Sequence, residues 1–290
     1  MLGLARRSEF ASEAVRVPHA RGRLWVRVDL PNREDFVRFV EGGGVLDVDP
    51  KTRVVTTNRR HRVHMLSLPF HPGEVVLKVS WDNPAYPRWR RWMQRLSDPA
   101  AAAFFGALRL RRAGVPTLEP LACWSWRSDD GEPFSGLLYE KLEAVGSLAD
   151  LRAKGWEEEE LAPLFERAAR LSARVYGAGL RHRDLSLPNF LVAESTAGPP
   201  GAAGPDSELR LIDTDQVVGR WPLPPGTSQW RQLSALRRMR LTAPEAERFL
   251  RIYLGDRYAP VWNRVLHYQK SDFHPPWRWL RRALKRRGLW

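Results

Sequence analysis

The sequence predicts an α+β chain in two lobes, a sheet-rich half followed by a mostly helical half. Three observations carry that prediction. Before about residue 142, apolar and polar residues alternate over short runs, the period of half-buried strands. After Leu142 the apolar residues recur at helical spacing, as in "EEEELAPLFERAARLSARVYGAG" and "APEAERFLRIYLGD". With 290 residues and 43% hydrophobic composition, the chain is long enough for two lobes that share an interface. The boundary is placed at the composition shift, giving lobes of residues 1–142 and 143–290.

In order along the chain, "GRLWVRVDL" (22–30) reads as a strand and "EGGGVLDV" (41–48) as a turn followed by another. Residues 53–81 read as two β-type runs around the hairpin punctuation "PFHPGE". In "VVLKV" the pleat places Val75, Leu77 and Val79 on one face and Val76 and Lys78 on the other. A lysine held on a strand face is an expensive choice for a charge that only solubilises. "YPRWRRWMQRL" (86–96) reads as a short basic amphipathic helix. "SDPAAAAFFGALRLRRAGVPT" predicts a helix with Asp98 as N-cap, Pro99 at its first position and Gly114 as its stop. "LEPLACWSWR" and "FSGLLYEKL" then form a strand pair, and "AESTAGPPGAAGPDSE" (193–208) is a polar excursion between two further strands.

Charge and composition narrow the function classes. The net charge of +14 steers the molecule toward polyanions: nucleic acid, an anionic membrane face, or a phosphorylated or anionic substrate. No nucleic-acid-binding motif accompanies the charge, which ranks that partner last. Cys123 is the single cysteine, no Cys/His cluster has zinc spacing, and His61 and His64 fall on opposite strand faces, so neither a disulfide framework nor a structural metal is predicted. Cys123 reads as core filler in a reducing compartment. No apolar run reaches the roughly 18 to 20 residues that a membrane span requires. The tail "PPWRWLRRALKRRGLW" has the pattern of a helix lying on anionic lipid, and equally suits a solvated final helix packed on its own lobe.

The residues that carry chemistry stand in one order: Lys78, then "LRHRDLSLPNFLV" with His182, Asp184 and Asn189, then "LRLIDTDQV" with Asp213 and Asp215. Each suits phosphoryl transfer. A lysine can hold the phosphates of ATP, Asp184 can accept the proton of an attacking hydroxyl, and Asn189 and Asp213 supply the oxygen ligands that magnesium prefers.

"HRDLSLPN" resembles the HRDxxxxN catalytic loop of the protein-kinase-like fold, and "IDTD" stands where its metal-binding DFG would stand, without the Phe and Gly. Through "RAGVPTLEPLA", "GLRHRDLSLPNFLV" and "LRLIDTDQV" the chain is most similar to the lipopolysaccharide kinase family, the Kdo and heptose kinases, over about residues 50 to 255. The resemblance implies a bilobal fold, with one main helix in an antiparallel N-terminal lobe. It also implies ATP-dependent phosphorylation of a sugar hydroxyl on the lipopolysaccharide inner core, performed with Mg2+ by a cytoplasmic protein peripheral to the inner face of the membrane. By position Lys78 is the nucleotide lysine, Glu140, Lys141 and Leu142 the hinge beside adenine, Asp184 the catalytic base and Asn189 and Asp213 the metal ligands. His182 is the structural support of the loop, and Asp215 assists the metal site or holds the turn.

One departure stands out. Kinases of this fold pair the strand lysine with a helix Glu, and counting back from "RAGVPT" puts Ala103 at that place. No acid lies between Asp98 and Glu119. The lysine is then oriented by phosphate alone, by Asp98 or by Glu119. The same departure suits a non-catalytic pseudokinase scaffold at a membrane, and the catalytic loop alone would equally suit a small-molecule or protein kinase.

Overall fold

A computed structural model describes residues 10–19, 22–41, 53–57, 61–81, 98–127, 133–194, 207–219, 239 and 241–257. The basic helix over 86–96, the strand in 41–48, the tip of the 193–208 excursion and the C-terminal basic tail fall outside these residues.

The first half is one seven-stranded antiparallel sheet. In chain order its strands are β1 (Ala14–His19), β2 (Gly22–Arg27), β3 (Arg53–Thr57), β4 (His61–Ser67), β5 (Glu74–Trp81), β6 (Pro120–Arg127) and β7 (Pro133–Glu140). Across the sheet they lie in the order β1-β2-β6-β7-β5-β4-β3. The run before "PFHPGE" is a hairpin of two strands, β3 and β4, rather than one strand, so residues 53–81 hold three strands. Two elements, strand β1 and helix α1 (Arg33–Glu41), stand beyond those read from the sequence.

The pleat decides what each face carries. Val75, Leu77 and Val79 are buried on the outer face, where Phe36 and Val40 of α1 join the same apolar cluster. On that face Trp124 lies across β7 at Gly136, where a Cβ would sit 2.1 Å from the indole Cζ2. Trp124, Trp126 and Phe134 then stack in series along β6 and β7. The inner face packs on helix α2 (Pro99–Arg112) through Cys123, Leu137 and Tyr139 against Phe104 and Leu108. Cys123 is a buried free thiol in this cluster.

Helix α2 begins where the sequence says it should. Asp98 is its N-cap, with Oδ1 accepting from the Ala101 amide at 2.9 Å, and Pro99 occupies the first helical position, where no N–H is required. The second Asp98 oxygen accepts from Ser125 Oγ at 2.7 Å, which ties the helix start to β6. After Arg112 the chain turns at Gly114, whose φ of +63° is the left-handed conformation that glycine adopts without strain. From the N-terminal side, Phe10 packs on Phe105 and lies under the guanidinium groups of Arg109 and Arg112, and Glu13 pairs with Arg112.

The second half is helical around a separate core. It contains β8 (Ala144–Ser147), α3 (Leu148–Ala153), α4 (Glu158–Gly177), β9 (Leu180–His182), β10 (Phe190–Ala193), β11 (Leu209–Leu211), β12 (Val217–Gly219) and α5 (Ala243–Leu254). The apolar stripe of α4, including Leu161, Leu164, Phe165 and Ala168, packs into one cluster with Phe249 and Tyr253 of α5. Strands β11-β10-β8 form a three-stranded sheet and β12-β9 a two-stranded one, so both polar segments of interest are suspended between paired strands. The two halves are also stitched by Thr117, whose hydroxyl donates to the Leu211 carbonyl at 2.6 Å while the Leu211 amide donates to the Pro116 carbonyl.

Asp98→Ala removes both the cap and the acceptor for Ser125. Urea unfolding of the full chain is expected to show a loss of about 1 to 2 kcal/mol, with Asp98→Asn losing less because the cap survives.

Candidate active site

The loop between β9 and β10 is built around one imidazole. His182 is fully buried, its Nε2–H donates to the Ile212 carbonyl at 3.1 Å, and its Nδ1 accepts from the Asp184 amide at 3.2 Å. These two bonds require the neutral tautomer protonated on Nε2. Burial also depresses the pKa of His182, which keeps the ring neutral. The imidazole therefore couples the loop to the residue preceding Asp213. The Arg183 amide adds a second link, donating to the Gln216 carbonyl at 3.0 Å, and His182 pairs with Val217 across β9 and β12.

Asn189 closes the loop from the other end. Its side-chain NH2 donates to the Asp184 carbonyl at 2.8 Å and to Ser186 Oγ at 3.2 Å. Both amide hydrogens are thus spent inside the loop, leaving the side-chain oxygen as the end that can meet a cation. The Asn189 backbone carbonyl accepts from the Ile212 amide at 2.9 Å, which places this side chain's residue beside the chain entering Asp213.

Asp213 sits in the left-handed region, with φ 59° and ψ 49°, a conformation that Asp tolerates better than bulkier residues. It opens a one-turn 3-10 helix, Thr214–Gln216, and its carboxylate meets Lys78 with Nζ to Oδ1 at 3.4 Å. Burial pushes the Asp213 carboxyl upward, but the Lys78 charge and hydrogen bonds outweigh it and hold the group below its ordinary value. Asp215 behaves oppositely. Burial and the neighbouring Asp213 charge push it up to about 7. One Asp215 oxygen accepts from Gln216 Nε2 at 3.0 Å, while the other is buried and meets no donor.

The alternatives considered for orienting Lys78 fail on geometry. Asp98 is committed to the α2 cap and Ser125, and Glu119 is paired with Arg27 and Arg111, each at 3.0 Å. Ala103 is buried on α2, and its carbonyl accepts from the Thr214 hydroxyl at 2.7 Å. The lysine's partner is Asp213, from the other half of the molecule.

Glu140, Lys141 and Leu142 form the passage from β7 to β8. The Glu140 amide donates to the Glu119 carbonyl and the Lys141 amide to the Glu74 carbonyl. The Lys141 ammonium lies 2.6 Å from Glu143 and 2.7 Å from Glu74, and these hydrogen bonds raise its pKa. Leu142 is half-buried. Sequence reasoning missed Tyr139 and Thr214, which are buried next to one another and close to Asp213 and Asp215. The cue available was the polar Thr214 between two acids, where an apolar residue would be the ordinary choice for a buried turn.

Among the described residues no group of three or more His, Cys, Asp or Glu side chains is placed to hold a metal. The oxygen donors present are Asn189, Asp213 and Asp215, a set that suits a hard divalent cation rather than zinc or copper. The paired carboxyls, one of them holding a buried oxygen with no donor, are what an added positive charge would relieve.

Residues 49–253 match the sequence profile of the lipopolysaccharide kinase (Kdo/WaaP) family. The chain belongs to that family. It is therefore a kinase, and it uses ATP. Two 3-deoxy-D-manno-octulosonic acid kinases from Stenotrophomonas maltophilia are each 30% identical to it. The one from strain R551-3 aligns over 66% of this chain and 70% of its own length, and the one from strain K279a over 58% and 57%. A solved structure of WaaP in complex with acyl carrier protein superposes with a TM-score of 0.55 at 20% identity, covering 83% of this chain and 98% of that one. That likeness shows the bilobal protein-kinase-like fold, and the antiparallel sheet followed by helices agrees with it. Among the described residues no helix of this lipopolysaccharide kinase family member is long and apolar enough to cross a membrane.

The Asp213–Asp215 pair gives a pH signature. Asp215 ionises near pH 4 when unfolded and near 7 when folded, so without a cation its ionisation costs stability progressively between those values and fully above 7. Asp215→Asn is expected to stabilise the nucleotide-free chain relative to the parent at pH 8 and to lose that advantage toward pH 4, measured by urea midpoints in chelator.

Proposed function

We propose that the chain transfers the terminal phosphoryl group of ATP to a sugar hydroxyl of the lipopolysaccharide inner core, or of a similarly anionic glycolipid. The observation that carries this reading is the Lys78–Asp213 contact at 3.4 Å, which brings a strand cation and a turn carboxylate from opposite halves to one place. Family membership supplies the reaction class, and the two similar Kdo kinases support the acceptor class.

In this reading residues 1–142 and 143–290 are the two lobes, and ATP lies between them with adenine beside Glu140, Lys141 and Leu142. Lys78 holds the phosphates, exchanging part of its attraction to Asp213 for theirs. Asp184 accepts the proton of the acceptor hydroxyl as it attacks, and His182 keeps that carboxylate's backbone fixed through the bond to its amide. Asn189 and Asp213 are the residues that would hold magnesium, with Asp215 in support. Bound there, magnesium would neutralise phosphate charge and stabilise the transferring group. Positioning and charge compensation supply most of such a rate enhancement, so this small set of groups suffices. The net charge of +14 suits an anionic acceptor and a peripheral position on the cytoplasmic face of the inner membrane.

The reading is tested by magnesium-dependent ATP turnover against a panel of lipopolysaccharide core fragments. Asp184→Asn is expected to lower turnover about a hundredfold to ten-thousandfold with the fold intact. Lys78→Ala and Asp213→Ala are expected to lose turnover as well. A parent chain that binds core fragments and never consumes ATP would instead establish a non-catalytic scaffold.

A further inference from the structure

Helix α2 carries no acid that could reach Lys78, yet it is joined to the Asp213 turn more closely than a salt bridge would join it. Three observations meet at Thr214. Its hydroxyl, on a side chain 2% exposed, donates to the Ala103 carbonyl of α2 at 2.7 Å. Its backbone carbonyl rests on α2 at Gly106, where a Cβ would lie 2.0 Å from the Thr214 oxygen, so the helix and turn touch backbone to backbone. Its hydroxyl also lies beside that of Tyr139, the penultimate residue of β7.

This single side chain therefore connects the helix and the turn that presents Asp213. The chain entering the turn is fixed through Ile212, which bonds His182 and Asn189, and the Gln216 amide donates to the Asp213 carbonyl; Thr214 adds the side-chain tie from the turn to α2. The Ala103 carbonyl is already within a helix, so losing the Thr214 bond leaves no unsatisfied group on α2. What it releases is the turn's side-chain tie to the helix.

We propose that Thr214 is a positioning residue for phosphoryl transfer, locking the Asp213 turn to helix α2 and thereby taking the place of the absent lysine–glutamate pair. The proposal rests on the assignment of Asp213 above. A direct salt bridge would orient Lys78 from the helix. Here the helix orients Asp213, and Asp213 in turn holds Lys78.

The test uses the full chain with ATP, magnesium and the core fragments, comparing Thr214→Val, Thr214→Ser and Asp213→Ala. Thr214→Val is expected to lower kcat about tenfold to a hundredfold while KM for ATP stays within about threefold, the pattern of lost alignment rather than lost binding. Thr214→Ser, which restores the hydroxyl, is expected to recover kcat to within about threefold of the parent. A merely structural residue would lower the melting temperature without dividing kcat from KM. Asp213→Ala without turnover beside a Thr214→Val within twofold of the parent overturns the Thr214 proposal alone, and so does a serine variant as poor as valine. An active Asp213→Ala overturns the Asp213 assignment, and the proposal falls with it. Should Thr214→Val fail to fold, Tyr139→Phe removes the hydroxyl that lies beside Thr214 with little change of volume. A drop of about threefold to tenfold confined to kcat then supports the proposal, and unchanged kcat overturns it.

Discussion

The site depends on one charge pair placed across a seam. Lys78 on β5 and Asp213 in the turn after β11 are each about a quarter to a third exposed, at 26% and 31%, so neither is fully solvated and each lowers the cost of the other's charge. Lysine can be held on the inner sheet face because something beyond the sheet answers it. Asp213 can be held beside Asp215 because a cation answers the pair. Remove the first compensation and the lysine becomes a buried charge; remove the second and the two acids repel. Without a cation, a proton on Asp215 relieves the repulsion between the two carboxyls.

The rest of the molecule serves to hold that seam at one width. His182 bonds the catalytic loop to Ile212, Asn189 bonds the loop to itself and to Ile212, and Thr117 bonds the end of the α2 connection to Leu211. All three tie into the chain within two residues of Asp213. Apolar packing also crosses between the halves, since Leu110 of α2 and Val115 belong to the cluster that fills the second half, and the hydrogen bonds near Asp213 add direction to that packing.

Much of this was legible in the residue order, and the gaps have physical causes. The faces of "VVLKV", the Asp98 cap and the Gly114 stop were readable because each depends on local geometry that a few residues dictate. Strands β3 and β4 were read as one run because no Gly or Pro punctuates the sequence between them. Strand β1 carries Pro18, a residue that argues against a strand, and α1 spans only nine residues, so its i, i+4 pair Phe36 and Val40 is easily passed over. At the site, the polar residues of "HRDLSLPN" and "LIDTD" were legible by type and spacing. The partner of Lys78 was not, since Asp213 lies 135 positions away, and local counting reaches only Asp98 or Glu119. Thr214 was passed over as a departure from a familiar motif, when its hydroxyl is what its neighbours use.

The N-terminal elements also bear on what counts as the domain. The family profile matches residues 49–253, yet the apolar interior of that span is completed from outside it. Leu24, Val26, Phe36 and Val40 fill the outer cluster of the sheet, and Phe10 and Ala14 cover the far side of α2. The segment that the family profile matches and the segment that completes the core are therefore different lengths of chain. A fragment cut to the homologous borders would retain every residue assigned to chemistry and lose the lining that lets the sheet and α2 exist in water. Here the border of the matched segment runs through the middle of a hydrophobic core.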